Sequence, residues 1–139
     1  MNVRIIIALT LLTASFYLES YALDYEFNMI SKDDGLKENN IMAICEDTTG
    51  FIWIGGRDVV SRYNGTGFKH FFSGDLPTGF VGKGMKKIFV DSLNRVWFGN
   101  NKGVNRYNPE TNTFSHYFPV IDFIFVDIDP EGGIWALSP

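Results

Sequence analysis

The sequence predicts an all-β fold, a partial β-propeller of about two complete four-stranded blades plus a partial third. Three observations predict it. First, a twelve-residue segment recurs three times without gaps, as CEDTTGFIWIGG (Cys45–Gly56), FVDSLNRVWFGN (Phe89–Asn100) and DIDPEGGIWALS (Asp127–Ser138). Second, the three tryptophans of the chain, Trp53, Trp97 and Trp135, each follow an aspartate, Asp47, Asp91 and Asp129, by six residues. Third, 16% aromatic residues and 14 glycines in 139 residues suit short strands joined by tight turns.

Each repeat reads as a four-strand meander. Strand A is apolar and precedes the aspartate: Ile41–Cys45, Lys87–Val90 and Phe123–Ile128. A tight turn follows, Asp47 to Gly50, Asp91 to Asn94 and Asp129 to Gly132. Aspartate opens such turns because its carboxylate accepts backbone N–H groups two residues on, and Gly or Asn tolerates the closing geometry. Strand B carries the tryptophan. Strand C ends in Arg62-Tyr63-Asn64 and again in Arg106-Tyr107-Asn108, 44 residues later. A further turn leads to an aromatic strand D, FKHFF (Phe68–Phe72) and FSHYF (Phe114–Phe118). Four-stranded units at a period of roughly 40–45 residues indicate propeller blades.

The chain opens with Arg4, an apolar run from Ile5 to Leu12, and small residues Ser20 and Ala22 around a cut after Ala22. That is the layout of a secretory signal peptide. Residues 1–22 are therefore expected to direct export and be removed, and residues 23–139 to form the propeller repeats. Glu19 interrupts the run before a membrane-spanning length of ~20 residues is reached, and no second apolar stretch follows. The net charge of −4 offers no basic face for nucleic acid. Cys45 is the one cysteine, so no intramolecular disulfide can form, and it reads as a buried, inert thiol.

The motifs DTTGFIWIGGRDVVSRYN and DSLNRVWFGNNKGVNRYN resemble the two-component regulator propeller repeat of bacterial hybrid sensor histidine kinases. The lead-in Phe27, Gly35, Leu36, Asn40, Ile41, Ile44 and Asp47 is similar to the run that precedes the first blade in that family. The resemblance implies a periplasmic sensing module, with a carbohydrate or other small ligand and the remainder of a sensor kinase chain as partners. One departure stands out. The glycine expected before strand C is Gly103 in the second unit but Val59 in the first, which puts the first B–C turn in question. Rings close with typically 4–8 blades. The chain is accordingly expected to be the N-terminal piece of a sensor, marginally stable or aggregating alone because open ends expose strand edges.

No catalytic constellation emerges, and neither a cofactor nor a metal is expected. The loop GFVGKGMKK (Gly79–Lys87) lacks the Ser/Thr of a phosphate-binding loop, Met85 standing after Gly84, and reads as a flexible inter-blade connection. His70 and His116 occupy equivalent repeat positions and read as structural. Asn64-Gly65-Thr66 fits a glycosylation acceptor but reads as a turn in a bacterial host. The tryptophans are expected to pack blade against blade.

In a meander, connections alternate between ends, so A–B turns lie on one face and B–C turns and D-to-A loops on the other. The second face carries the residues on which the repeats disagree: Arg57 and Asp58, then Asn100, Asn101 and Lys102, with Lys83 and Asp75 on the long loop from Ser73 to Gly84. Variable loops on a rigid scaffold are where recognition gathers. Arg57, Asp58, Lys83, Asn100, Asn101 and Lys102 are therefore the ligand-binding candidates. The competing reading is a secreted propeller without a kinase, either a protein-binding scaffold or a lyase-like enzyme.

Overall fold

The structure is a computed structural model that describes residues 25–76, 78–117, 125–129 and 133–137. The segment expected to direct export, residues 1–22, and the turn residues 130–132 lie outside them. The described secondary structure is all strand. Strands β1 (Ala43–Glu46), β2 (Ile52–Gly55), β3 (Val59–Tyr63) and β4 (Phe68–Phe72) form one antiparallel sheet in sequence order. Strands β5 (Lys87–Val90), β6 (Val96–Asn100), β7 (Gly103–Asn108) and β8 (Thr113–Tyr117) form a second. Strands β9 (Phe125–Ile128) and β10 (Ile134–Leu137) pair as a hairpin at the corresponding place in the third unit. Strands β1, β5 and β9 neighbour one another in turn, so the sheets fan outward from a shared inner edge. This is the blade arrangement expected from the repeats. No helix among the described residues is long and apolar enough to cross a membrane.

Alternation along the strands separates two faces of each blade. Trp53, Val60 and Phe71 point from the first sheet into a core completed by Ile88, Val96, Phe98 and Tyr107 of the second. Trp53 meets Phe98 and Tyr107 edge-on, at centroid distances of 5.4 and 4.9 Å, and stacks on Phe71 at 6.0 Å. Trp97 in turn lies with Phe89 and Val104, against which Tyr117 and Ile134 pack. Trp53 and Trp97 thus each supply the surface between their own sheet and the next. Exposure follows: 1% for Trp53, 6% for Trp97 and 66% for Trp135, against which no further sheet lies among the described residues.

The turns follow from residue choice. In the first two A–B turns the residue three after the aspartate has positive φ, 85° at Gly50 and 56° at Asn94, where Gly and Asn are tolerated. The first B–C turn is normal despite Val59. Gly56 N–H donates to Val59 C=O at 2.9 Å, and among the described residues only Asn94 and Asn112 are non-glycines with positive φ. Gly103 takes φ 127° at the equivalent place, so the two turns reach the same register by different backbone paths.

Candidate functional site

One end of the blades is built by the Asp–Trp repeat. Cys45 pairs with Trp53 across the β1–β2 hairpin, and Asp47 N–H donates to Phe51 C=O at 3.0 Å. Asp47 and Trp53 are therefore diagonal neighbours on one sheet face, within reach of a long side chain. The indole Nε1–H donates to Asp47 Oδ2 at 2.8 Å, while Oδ1 accepts the backbone N–H groups of Thr49 at 2.9 Å and Phe51 at 3.2 Å. The pattern repeats. Trp97 Nε1 donates to Asp91 Oδ2 at 2.9 Å and Trp135 Nε1 to Asp129 Oδ2 at 2.7 Å. Asp91 Oδ1 accepts from Leu93 and Arg95, and Asp129 Oδ1 from Gly133. One carboxylate thus closes the turn with one oxygen and orients the tryptophan with the other.

Burial would raise the carboxyl pKa of Asp47 and Asp91. Hydrogen bonds outweigh it, from Thr49, Trp53 and the Thr49 and Phe51 backbone for Asp47, and from Trp97, Arg95 and Leu93 for Asp91. Both groups are held below the ordinary carboxylate value of 3.8. The arginine of the Arg-Tyr-Asn motif completes the unit. Arg62 lies directly across from Trp53, and Arg106 across from Trp97. The Arg62 guanidinium sits 4.4 Å from the Phe51 ring centroid and 5.5 Å from that of Trp53, and it donates to Tyr107 Oη of the next blade at 3.2 Å. Burial raises the Tyr107 phenol pKa, with Arg62 opposing. Thr48 N–H donates to Asn94 Oδ1 at 3.0 Å, tying neighbouring A–B turns together. A pocket of about 320 Å³ lies here, lined among others by Asp47, Trp53, Arg62, Asn94, Arg95 and Tyr107. Those polar groups are already engaged, Asp47 with Trp53, Arg62 with Tyr107, Asn94 with Thr48 and Arg95 with Asp91, so the pocket is part of the scaffold.

The opposite end is different. The described residues of the loop from Ser73 to Gly84 are anchored at several points. Phe80 is fully buried and Met85 is 1% exposed, so two apolar anchors hold the connection in the inter-blade core. Gly84 N–H donates to Arg57 C=O at 2.7 Å and Met85 N–H to Gly56 C=O at 3.1 Å, strapping the loop to the first B–C turn. Lys83 N–H donates to Asn101 Oδ1 at 2.8 Å and Asn101 N–H to Lys83 C=O at 3.2 Å, strapping it to the second. Gly82 has φ 99°, and a Cβ there would lie 2.2 Å from Asn100 Oδ1, so only glycine fits.

A cleft of about 460 Å³ opens where these pieces meet, lined by Asn40, Met42, Arg57, Lys83, Gly84, Lys86 and Asn101. It lies at the entrances to β1 and β5, on the inner side of the fan. Three sequence candidates, Arg57, Lys83 and Asn101, converge in it. Asp58 borders it and pairs with Lys83 at 3.1 Å, both side chains being more than half exposed. Lys102 is exposed on the adjacent β6–β7 turn, outside the cleft lining. Asp75 is exposed on the long loop.

Asn100 requires a correction. It is fully buried, donates from Nδ2 to Val81 C=O at 2.8 Å and accepts Lys102 N–H at 2.9 Å, so it holds the loop and offers a ligand no surface. Asn105, also fully buried, joins it by accepting Val81 N–H and donating to Val81 C=O. Sequence reasoning named Asn40 only as part of the lead-in and did not single out Lys86, Asn105 or Glu38. Glu38 accepts Arg57 N–H at 2.7 Å and packs on Gly56.

The remaining chemistry is quiet. His70 Nδ1 bonds Ser61 Oγ at 2.9 Å, and His116 Nδ1 lies 3.2 Å from Asn105 Oδ1. Burial lowers both imidazole pKa values, with the Lys37 charge adding to the effect at His70. Burial, and then Asp47 and Glu46, raise the Cys45 thiol, which suits an unreactive cysteine. Asn64 Oδ1 accepts from Thr66 and Gly67, the expected turn role. Among the described residues no three His, Cys, Asp or Glu side chains converge as a metal site would need.

The geometry defines a β-propeller segment with a constant structural end and a variable end. Residues 35–58 match the two component regulator propeller family, which bears out the resemblance for the lead-in from Gly35 and for the first motif through Asp58. The fold is shared with solved structures from B. thetaiotaomicron. The extracellular domain of BT3049, described as a hybrid two component system, aligns with TM-score 0.67 and 22% identity over 78% of this chain and 17% of its own. The extracellular domain of BT4673, described in one structure as a one component and in another as a hybrid two component system, aligns with TM-scores of 0.63 and 0.60. Identity is 20% in both, over 75% and 72% of this chain and 16% and 15% of the other. The chain thus spans about a sixth of each. No curated protein sequence matches it.

Proposed function

We propose that this chain is the N-terminal part of an extracytoplasmic ligand-sensing propeller domain of a two-component signalling protein, and that its ligand is a carbohydrate. The observation that carries the reading is the cleft between the blades, where the non-repeating residues Arg57, Lys83 and Asn101 meet beside Lys86 and Asn40. The Asp, Trp and Arg that the first two repeats hold constant go into the scaffold at the other end. Export follows from the N-terminal segment and accords with the extracellular placement of the similar structures. The segment is assigned no catalysis of its own, and signalling would pass to a kinase module.

Two measurements test this. Thermal unfolding is followed with a panel of neutral, carboxylated and sulfated oligosaccharides. One class is expected to raise Tm by several degrees when present well above its Kd, and the rise should vanish in an Arg57→Ala, Lys86→Ala double variant. No rise with any member would sink the ligand-sensing reading. The reading frame downstream tests the signalling half. A membrane span and a histidine kinase module support it, whereas a stop codon after a few more blades leaves the secreted scaffold.

A further inference from the structure

We infer that residues 25–29, before the first blade, form the strand D of the blade that closes the ring, and that the open face of the first blade receives the rest of that blade. The occupant is a unit of this same repeat, its strands A, B and C supplied by the chain downstream. The inference rests on the reading above that this chain is the N-terminal part of a longer propeller, and it names the residues that make the closure. The register of the repeat carries it. Counting back 44 residues, the spacing of the first two units, sets Gly35 and Leu36 on Gly79 and Phe80, and Phe27 on Phe71 of β4. The structure keeps this register in the lead-in. Met42 N–H donates to Gly55 C=O at 2.8 Å, and Lys86 N–H, 44 residues on, donates to Gly99 C=O at 2.8 Å. Leu36 is buried as Phe80 is. A Cβ on Gly35 would lie 3.5 Å from Phe68 of β4, and Phe80 packs on Phe114, the corresponding ring of β8. The lead-in is thus built as a D-to-A loop, so the residues before it stand where a strand D stands.

Those residues carry a strand pattern without a neighbouring strand. Tyr25, Phe27 and Met29 alternate with Glu26 and Asn28, the period of a half-buried strand. The register puts the apolar three on the face that Phe71 turns to the second blade. Among the described residues no strand pairs with them, and Phe27 is 92% exposed where Phe71 is 3% exposed. The first blade is uncovered to match. Ile88 of the second blade is packed under the first and is 5% exposed, whereas its counterpart Ile44 is 67% exposed. Phe71 seats on Tyr107 and Phe114, at centroid distances of 5.4 and 5.3 Å. The same pair in the first blade, Tyr63 and Phe68, lies 4.8 Å apart and offers Phe27 the equivalent seat. Trp53 meets Tyr107 edge-on, so the tryptophan of the closing unit would meet Tyr63 in the same way. A first strand that completes the last blade joins the two ends of the ring and pairs the edges that an open fan exposes.

The test uses the whole exported portion of the reading frame. In the β3–β4 pair Arg62 lies across from Lys69, whose counterpart is Tyr25. Tyr25 is therefore placed across from the arginine of the last Arg-Tyr-Asn motif downstream. Directly opposed residues of an antiparallel pair have Cα atoms ~4.5–5.5 Å apart, within reach of a disulfide. Tyr25→Cys, combined with a cysteine in place of that arginine, is expected to form an intrachain disulfide on mild oxidation, read by peptide mass mapping. The single variants, which retain Cys45, control for bonds to the native thiol. Phe27→Asp is expected to lower Tm by about 5 °C or more. Leu76→Asp, at an exposed apolar residue of the inter-blade loop, should shift it by less than about 2 °C.

An intrachain bond together with the Phe27→Asp loss supports the closure. Failure of either one, with further Asp–Trp units present downstream, would overturn it and leave the sensing reading intact. A bond between two chains is such a failure, and it would put a second copy of the chain on the first blade. A reading frame that holds no further Asp–Trp unit would overturn both the closure and the reading on which it rests.

Discussion

Trp53→Ala is expected to destabilise the protein by about 3–5 kcal/mol, the scale of emptying a buried aromatic site. Trp53 is 1% exposed and fills the seam between the first two blades against Phe71, Phe98 and Tyr107. Removing the ring also strips Asp47 Oδ2 of its indole donor. Trp53→Phe separates these effects. It retains most of the packing and leaves the buried acceptor unpaired, for which about 1–3 kcal/mol is expected. Trp135→Ala is the contrast. The same hydrogen bond is present, but the ring is 66% exposed, so a loss of no more than about 1 kcal/mol is expected. Urea unfolding read by far-UV circular dichroism ranks the three variants. Similar losses at positions 53 and 135 would mean that inter-blade packing is not what the tryptophan supplies.

Asp91→Asn is expected to cost about 1–3 kcal/mol at pH 7, nearer the upper figure because the lost acceptor is charged. The carboxylate accepts on both oxygens, from the Leu93 and Arg95 backbones on one side and from the Trp97 indole and the Arg95 side chain on the other. An amide has one acceptor oxygen, so its NH2 must face a donor whichever way it turns.

The pH dependence has a defined sign. The folded pKa of Asp91 lies below the ordinary 3.8, so the unfolded chain binds the proton more readily. Its contribution is complete above 3.8 and is lost as pH falls through the folded value. Asp91→Asn should therefore flatten part of the acid limb, with Asp47 retaining the rest. His70 and His116 act earlier. Their folded pKa values lie below 6.5, so stability is fully present above 6.5 and declines as pH falls toward those lowered values. Denaturant midpoints between pH 8 and pH 3 check both limbs. An unchanged acid limb in Asp91→Asn would contradict the role assigned to that carboxylate.

The blades were legible in the sequence because a repeat displays its own alignment. Strands β4 and β5 fall where the pattern predicts FKHFF and KIFV, β1 differs by a residue or two at its ends and β8 begins one residue earlier, while Phe118, Phe123 and Ile124 of the expected strands lie outside the described residues. The jobs of Asp and Trp were read as separate, turn for one and packing for the other. The hydrogen bond that joins them depends on hairpin register, which sets the two residues diagonally on one face. The fixed spacing of six carried that signal. Val59 was read as a threat to the first B–C turn because glycine marks that place in the second unit, yet the first turn needs no positive φ there.

The variable end was legible only as a face. Period-two patterning says which way a strand residue points but nothing about loop residues, whose positions come from what anchors the loop. Phe80 and Met85 make that anchor, and they bring Lys83 to the cleft. Asn100 looked like a variable surface amide. Its side chain is instead folded under the loop onto the Val81 carbonyl. Lys86 precedes strand A and was read as part of the loop, although the cleft is lined from that strand's entrance.

The central claim is that the repeat end holds the fold and the non-repeat end holds the ligand. A pair of substitutions tests it most directly, with stability and affinity measured on each. Arg95→Gln breaks the ion pair with Asp91 at the repeat end, and Lys86→Gln removes a cation from the cleft. The tightest-binding oligosaccharide of the panel serves as probe. Arg95→Gln is predicted to lower the urea midpoint and leave affinity within about two-fold, whereas Lys86→Gln leaves the midpoint nearly unchanged and weakens affinity about ten-fold. An affinity loss in Arg95→Gln with none in Lys86→Gln would place recognition at the wrong end of the blades and contradict the account.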